Sequence, residues 1–337
     1  MIANPYIIGL LAGLLSGGLS SFAIYGASVA KFLVYLAPLP CFIAGFGWRL
    51  NASLAATLAG TFFLAALSGP SAGFGFLLSI GIPTLILTHL AYLSRDSAIL
   101  SSDEAGNHEI NDQTGGTELQ WFPVGNLLFW AAVMAGLLAI AVIFSLGADI
   151  ESYRATVKEL FEKTFLKQLE SLSGKEITPS DASSISEIAI SILPGASALS
   201  WLTLTVFNMW LGARLTMAMG RFDRPWPKLA AFKYPNMISF CFVGAIILTM
   251  VPGIPQLIGI AFTTAFVFLY ILLGFAVLHS ITEGNPFRPY MLILAYVVFI
   301  FTGQWGIMIM VTLGLAEPLL KIRARMKNPP PSGSGSP

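Results

Sequence analysis

The sequence predicts an all-α protein, a polytopic transmembrane bundle of about ten helices with both termini in the cytoplasm. Two observations carry this prediction. Of the 337 residues, 55% are hydrophobic and only 10% are charged, whereas a soluble domain carries about 25% charged residues. The apolar residues also fall in runs close to the ~20 residues that a helix needs to cross the ~30 Å hydrocarbon core.

The apolar runs define the predicted spans. They lie at 6–26, 30–48, 51–68, 72–93, 122–146, 196–220, 236–252, 256–281, 288–302 and 305–321. The last two are short, and Thr302–Gln304 is either a turn between them or a break in one re-entrant element, so counts of eight or nine stay open. All spans belong to one integral domain over residues 1–326, and the low-complexity tail 327–337 is predicted to be disordered.

Two polar segments interrupt the spans. Residues 94–120 show no periodicity and are predicted to form a disordered cytoplasmic loop. In 147–194, apolar residues such as Tyr153 and Val157 recur at helical spacing, and a second short helix is expected to end at Pro194–Gly195. This extracytoplasmic amphipathic hairpin either lies on the membrane surface and caps the bundle or forms a lid over a ligand entrance.

The orientation follows from the basic residues around Phe207–Pro235. A short loop that is rich in Lys and Arg stays in the cytoplasm. We interpret these cations as determinants of topology and lipid contact, and binding of a soluble partner or an anionic ligand is the alternative. They are Arg214, Arg221, Arg224, Lys228 and Lys233.

Small residues form a stripe on the first span. Gly9, Gly13 and Gly17 repeat at four-residue spacing. In lipid, such a stripe lets two helix backbones approach closely. The stripe therefore predicts a helix interface, either with another span of this chain or with a partner subunit.

Known catalytic and cofactor patterns are missing from the sequence. It has no P-loop, no Cys/His spacing for a metal and no nucleophile elbow. We therefore predict no enzymatic activity, no cofactor and no metal, and the near-zero net charge excludes nucleic acid as a partner. Cys41 and Cys241 are expected to be packed thiols, and Glu317 is expected to pair with Lys321 on one helix face.

A solute site, if the bundle holds one, is predicted between the fourth, sixth and eighth spans, beneath the 147–194 hairpin. A small-molecule site needs a few polar groups in an apolar concavity. The polar or irregular positions at mid-depth are Pro83, Asn208, Trp210, Thr263 and Thr264. The alternative interpretation of these residues is ordinary hydrogen bonding between helices.

The region around the basic loop resembles the YybS-like family of bacterial multi-pass membrane proteins. The resemblance rests on Asn208, Gly212–Leu215, Phe232–Pro235, Gly314–Glu317 and Lys321–Arg323. The N-terminal spans are also similar, more distantly, to the substrate-binding S-components of energy-coupling-factor vitamin transporters. That second similarity implies a small-molecule ligand together with partner membrane and ATPase subunits.

These observations lead to three functional hypotheses for a multi-pass protein of the bacterial inner membrane. The first is a transport-related protein that binds a small, mostly apolar or neutral solute in an S-component-like manner. The second is a non-transporting scaffold or assembly factor that holds partner proteins. The third is an enzyme acting on a lipid-linked substrate. Membrane lipids are expected to surround the protein in each case.

Overall fold

A computed structural model describes residues 4–25, 30–98, 117–166, 179–227 and 232–327 of the chain. These residues are mainly helical. The helices are α1 (Pro5–Tyr25), α2 (Leu39–Ser68), α3 (Pro70–Phe76), α4 (Ile82–Ala91), α5 (Val124–Leu146), α6 (Ile150–Leu160), α7 (Pro179–Ala218), α8 (Met237–Thr249), α9 (Ile254–Ile281), α10 (Arg288–Thr302), α11 (Gln304–Leu320) and α12 (Ile322–Lys327). A 3₁₀ segment, Ala30–Leu36, precedes α2, and π-helical turns follow α3 and α6 at Leu77–Gly81 and Phe161–Leu166.

Six stretches of the described residues are long and apolar enough to cross a membrane, judged by length and composition. They are Pro5–Ala23, Phe32–Ser68, Pro70–Ala91, Val124–Leu146, Ser183–Ala218 and Ile254–Ile281. Three shorter apolar helices, α8, α10 and α11, have 10–17 residues each. The predicted helical membrane bundle is consistent with this architecture, whereas the count of ten spans and the orientation of the termini stay predictions.

Backbone contacts divide the chain into two compact units. Unit one comprises Met1–Leu127 and Leu204–Trp226, and unit two comprises Leu128–Thr203 and Pro227–Pro337. The prediction of one integral domain over residues 1–326 stays a prediction.

The predicted glycine stripe of α1 packs against α2 within unit one. A Cβ atom at Gly9 or Gly13 would overlap the backbone carbonyl oxygen of Ala52 or Ala56, and one at Gly17 would lie 2.8 Å from an α2 side chain. Only hydrogen fits at the first two positions, which is the geometry of a close-packed membrane helix pair. In this structure the helix that meets the stripe belongs to the same chain.

Helix α2 reverses direction at Arg49. Ser16 of α1 donates a hydrogen bond to the carbonyl oxygen of Ala37, just before α2 begins. Further along α2, Ala52 lies against Gly9, two turns nearer the start of α1. The chain therefore runs antiparallel and then parallel to α1, and Arg49 is the residue inside α2 with non-helical angles, φ 67° and ψ −161°. This reversal separates the predicted spans 30–48 and 51–68.

The two ends of the polar segment 94–120 pair as strands. β1 (Ser94–Ala98) and β2 (Thr117–Trp121) are antiparallel, with Ser94 opposite Trp121. Across this pair, the Nε of Arg95 donates to the Oε1 of Gln120 at 2.7 Å. The prediction of a disordered loop over residues 94–120 is wrong at its two ends, because the five-residue strands carry no alternating pattern that would reveal them. Residues 99–116 lie outside the described part of the chain.

Helix α6 carries the predicted amphipathic stripe within unit two. Asp149 caps its first turn by accepting hydrogen bonds from the backbone N–H groups of Glu151 and Ser152. Tyr153 and Val157 are buried in a cluster with Ile143 of α5 and with residues of α7 and α9. The stripe therefore faces protein. The predicted turn near Gly174 lies outside the described residues.

The prediction that a short helix ends at Pro194 is wrong, because α7 runs through it as one 40-residue helix. Proline has no N–H group to bond to the carbonyl four residues earlier, so an internal proline normally breaks a helix. Here that carbonyl, on Ile190, accepts a hydrogen bond from the Tyr153 hydroxyl at 3.3 Å. The tyrosine of α6 thus satisfies the acceptor that Pro194 leaves open.

Helix α9 is the centre of packing in unit two. It forms a hairpin with α8 across Gly253, whose φ of 94° favours glycine. It also meets α11 at backbone distance, since a Cβ atom on Gly274 would overlap the carbonyl oxygen of Met310 and one on Gly314 would overlap that of Tyr270. Small residues again allow the close approach.

Glu317 does not pair with Lys321 as predicted. Lys321 adopts a left-handed conformation, φ 50°, that ends α11 and turns its side chain off the helix face. The Nε of Arg323 instead donates to Glu317 Oε1 at 2.7 Å, and both side chains are about nine-tenths buried. The Arg323 guanidinium also donates to the carbonyl oxygen of Phe232, so this ion pair holds α12 within unit two.

Candidate functional site

The candidate site begins at Arg49, where α2 reverses in unit one. The Arg49 guanidinium lies 2.7 Å from the Oδ2 of Asp223 and 3.8 Å from the centre of the Tyr92 ring. The ion pair is half-exposed, with 50% and 64% of the two side chains accessible. A cation above an aromatic face and beside a carboxylate is held in one position.

Tyr92 forms the aromatic wall of the site. Its hydroxyl donates to the carbonyl oxygen of Phe46, and its ring meets the ring of Phe46 edge-on, with centres 6.3 Å apart. Burial raises the pKa of Tyr92 to about 12, although the Arg49 charge acts in the opposite direction. The phenol is therefore uncharged at neutral pH and remains a hydrogen-bond donor.

Arg224 holds the backbone on either side of the strand pair, next to Tyr92. It is only 8% exposed, and its guanidinium donates to the carbonyl oxygens of Ala91 at 2.9 Å and Phe122 at 2.6 Å. Burial lowers the pKa of Arg224 because the charged form loses water. The two charge-assisted bonds tie the end of α4 to the residues that lead into α5.

Arg49 and Tyr92 border a cavity of about 220 Å³. Its lining residues are Arg49, Leu50, Thr88, His89, Tyr92 and Leu93. The Thr88 hydroxyl already donates to Thr84 at 2.7 Å. The imidazole of His89 is exposed and forms no hydrogen bond within the described part of the chain, so it is available to a ligand as donor or acceptor.

A comparison with known protein families matches residues 116–317 to the family described as "Predicted membrane protein (DUF2232)". The match covers more than half of the chain. The chain belongs to this family. No curated protein and no solved structure matches it. Membership confirms the coarse prediction of a helical membrane protein. The DUF2232 match includes Asp223 and Arg224 and begins after the residues that line the cavity.

Three of the five predicted site residues of this DUF2232 chain lie in unit one. Asn208 is fully buried, and its amide nitrogen donates to the carbonyl oxygens of Tyr35 and Leu204, each at 2.8 Å. Its Oδ1 is buried and has no partner among the described residues. Pro83 is buried, whereas Trp210 is 47% exposed. Asn208 does not line the cavity beside Arg49.

The other two predicted site residues lie in unit two, on α9. The Thr264 hydroxyl donates to the carbonyl oxygen of Ile260 at 2.8 Å, within its own helix. The Oγ1 of Thr263 is buried without a hydrogen-bond partner in the described chain. A solute site that includes Pro83, Asn208, Trp210, Thr263 and Thr264 stays a prediction.

The predicted basic residues differ in their surroundings. The Arg214 guanidinium lies 4.1 Å from the centre of the Trp226 ring, and that of Arg221 lies 4.6 Å from the Trp48 ring. Arg224 is buried as described above, and Lys233 is exposed. Lys228 lies outside the described residues.

Sequence reasoning missed most of the cavity residues. Thr88, His89 and Tyr92 lie near the end of the predicted span 72–93, and none of them is among the predicted site residues. The signal that could have found them is their spacing, since one helical turn separates Thr88 from Tyr92. Within the described residues, no group of three or more His, Cys, Asp or Glu side chains could hold a metal ion.

Proposed function

We propose that this DUF2232 protein is transport-related and binds a small, neutral, polar solute, in the manner of a transporter S-component. The cavity beside Arg49 is the observation that supports this function. Its volume of about 220 Å³ equals roughly seven waters at about 30 Å³ each. A small molecule with a few hydrogen-bonding groups fits such a space.

The charges around the cavity favour a neutral solute over an ion. The cation of Arg49 is paired with Asp223, and the pKa of about 12 keeps Tyr92 uncharged. A solute with hydroxyl, amide or carbonyl groups has donors available on Arg49 and on the free imidazole of His89. Leu50 and Leu93 supply the apolar part of the lining, as is usual for small-molecule sites.

We further propose ten spans in a bacterial inner membrane, with both termini in the cytoplasm, as in the YybS-like proteins that the chain resembles. The support is the gathering of cations at one end of unit one. Arg49 lies over the Tyr92 ring, Arg221 lies over the ring of Trp48, the residue before Arg49, and Arg224 donates to the carbonyl oxygen of Ala91, the residue before Tyr92. A membrane-protein surface that collects Arg side chains in short connections faces the cytoplasm.

The decisive experiment identifies small molecules that stay bound to the purified protein. Protein extracted directly into lipid nanodiscs would be denatured, and the released compounds compared by mass spectrometry. In the variant Leu93→Trp, a large ring fills the cavity. In the control Leu58→Trp, the same ring is added at an exposed α2 position outside the cavity.

We expect one compound at near-stoichiometric amount in the wild type and in Leu58→Trp, and at least tenfold less in Leu93→Trp. Equal amounts in all three proteins, or no retained compound in any, would contradict solute binding at this cavity. Co-purification of a defined partner protein together with an empty cavity would favour the scaffold hypothesis instead.

The variant Arg49→Gly tests whether the bound compound can be lost without a large change in unfolding stability. The substitution removes an exposed ion pair worth about 0–1 kcal/mol and a cation–π contact worth about 0.5–1 kcal/mol. It also relieves a positive φ of 67°, and such strain costs about 1–3 kcal/mol in a non-glycine residue. We expect unfolding stability within about 1 kcal/mol of the wild type, together with loss of the bound compound.

A further inference from the structure

A second cavity of unit one is an apolar groove of about 420 Å³ between α1 and the first half of α2. On α1 its lining runs from Ile8 to Leu19, and on the opposite side it runs from Leu36 to Trp48. All of the lining side chains are apolar apart from the indole of Trp48. This groove is distinct from the cavity beside Arg49, with which it shares no lining residue.

The groove has the length of one lipid leaflet. Ile8 and Leu19 are eleven residues apart on α1, and a helix rises about 1.5 Å per residue, which gives about 16 Å. Half of the ~30 Å hydrocarbon core is about 15 Å. An acyl chain that enters the groove at one membrane surface therefore ends near the midplane.

One end of the groove carries a cation without a protein acceptor. The guanidinium of Arg221 lies 4.6 Å from the centre of the Trp48 ring, and Trp48 is the last residue of the groove lining. Among the described residues, Arg221 has no ion pair and no side-chain hydrogen bond, since Asp223 pairs with Arg49. A phosphate oxygen would find unused N–H donors there.

We propose that the groove holds one acyl chain of an anionic phospholipid, whose phosphate contacts Arg221. The apolar lining favours an acyl chain. The length of the groove matches one leaflet, so the lipid belongs to the leaflet at the Arg221 end. The unpaired guanidinium favours a negatively charged headgroup. A basic group at the membrane surface contributes about 1 kcal/mol to binding an anionic lipid, and this equals about a fivefold difference in affinity.

Native mass spectrometry of the delipidated full-length protein tests the proposal. The protein in detergent would be titrated with phosphatidylglycerol or with phosphatidylcholine that carries the same acyl chains. We expect one phosphatidylglycerol per chain, bound about fivefold more tightly than phosphatidylcholine. Arg221→Gln should abolish the preference, whereas Arg325→Gln, which removes an exposed cation of unit two, should keep it.

Leu15→Trp tests the groove itself. Leu15 lines the groove and is 57% exposed, so the larger ring fills the groove without entering the protein core. We expect this variant to lose both lipids, while Leu10→Trp, at an exposed α1 position outside the groove, keeps them. Equal binding of the two lipids by the wild type, unchanged binding by Leu15→Trp, or a dimer that excludes lipid would each overturn the proposal.

Discussion

Replacing Gly13 by alanine tests how closely α1 and α2 approach. The new Cβ atom would overlap the carbonyl oxygen of Ala56 and lie 2.8 Å from the Cβ of Ala59. Gly18, on the same helix, is the matched control, because a Cβ atom there meets nothing within 4 Å. Both substitutions make the same chemical change in one helix, so their difference isolates the contact with α2.

The expected magnitude follows from two opposing terms. Alanine is favoured over glycine in a helix by about 1 kcal/mol at both positions. Overpacking costs about 1–3 kcal/mol where neighbours cannot move, and at Gly13 one neighbour is backbone. Gly18→Ala should therefore stabilise the protein, and Gly13→Ala should be less stable than Gly18→Ala by about 1–3 kcal/mol. Gly13→Ile should lose more.

Thermal unfolding in detergent with a thiol-reactive dye provides the assay. Cys41 is 1% exposed and contacts Ser16 of α1, so its reaction reports separation of α1 from α2. Cys241→Ala removes the second thiol. At about 2–4 °C per kcal/mol, a difference of about 1–3 kcal/mol places the midpoints about 2–12 °C apart. Equal midpoints for Gly13→Ala and Gly18→Ala would refute the close contact.

Three further predictions concern unit two. Tyr153→Phe should lower stability by about 1 kcal/mol, because it leaves an α7 carbonyl unpaired. Burial raises the pKa of Tyr153 to about 12, whereas an unfolded tyrosine has a pKa of about 10. The stabilisation by Tyr153 should therefore be complete below pH ~10 and be lost as the pH rises toward 12. The Phe variant should show no such dependence on pH. Arg323→Met should cost about 3 kcal/mol by leaving Glu317 buried and unpaired, and Arg325→Met should cost little, when loss of helix on heating is followed by circular dichroism. A cysteine at Phe165 should react with an impermeant reagent from outside, and reaction only from the cytoplasm would contradict the proposed topology.

The positions of the long helices follow from the sequence because lipid imposes a simple requirement. Every backbone polar group in the hydrocarbon core must be paired within its own segment, so an apolar run of sufficient length becomes a helix. The predicted runs 122–146 and 256–281 accordingly agree with Val124–Leu146 and Ile254–Ile281 to within two residues. This inference does not require knowing which other helix the span packs against.

Local rules failed where a distant residue changes their result. At Pro194, the rule for a helix end assumes that the unpaired carbonyl stays unpaired, and Tyr153 supplies a donor from 37 positions away along the chain. At Glu317, the rule for helix-face pairs assumes that the helix continues to Lys321, which instead ends it. Both errors come from tertiary contacts that no local pattern contains.

The cavity was unpredictable for a related reason. Its walls come from the residue at which α2 reverses and from the end of α4, and Asp223, which pairs with Arg49, lies 174 positions away from it. The small-residue stripe on α1, by contrast, was predictable as an interface, because the spacing of Gly9, Gly13 and Gly17 is local. The spacing of these glycines does not identify the helix that packs against them.

Three arginines at one end of unit one show why counting charges does not identify a function. The positive-inside rule gives Arg49, Arg221 and Arg224 equal weight, because it depends only on which side of the membrane a cation lies. Their contacts differ: Arg224 is buried on two carbonyl oxygens, Arg49 is paired with Asp223, and Arg221 lies on an aromatic ring without an acceptor. A buried, satisfied guanidinium supports structure, whereas an accessible, unsatisfied one can bind a ligand. The burial and pairing of each cation, and not its sign, therefore distinguish the buried Arg224 from the more accessible Arg49 and Arg221.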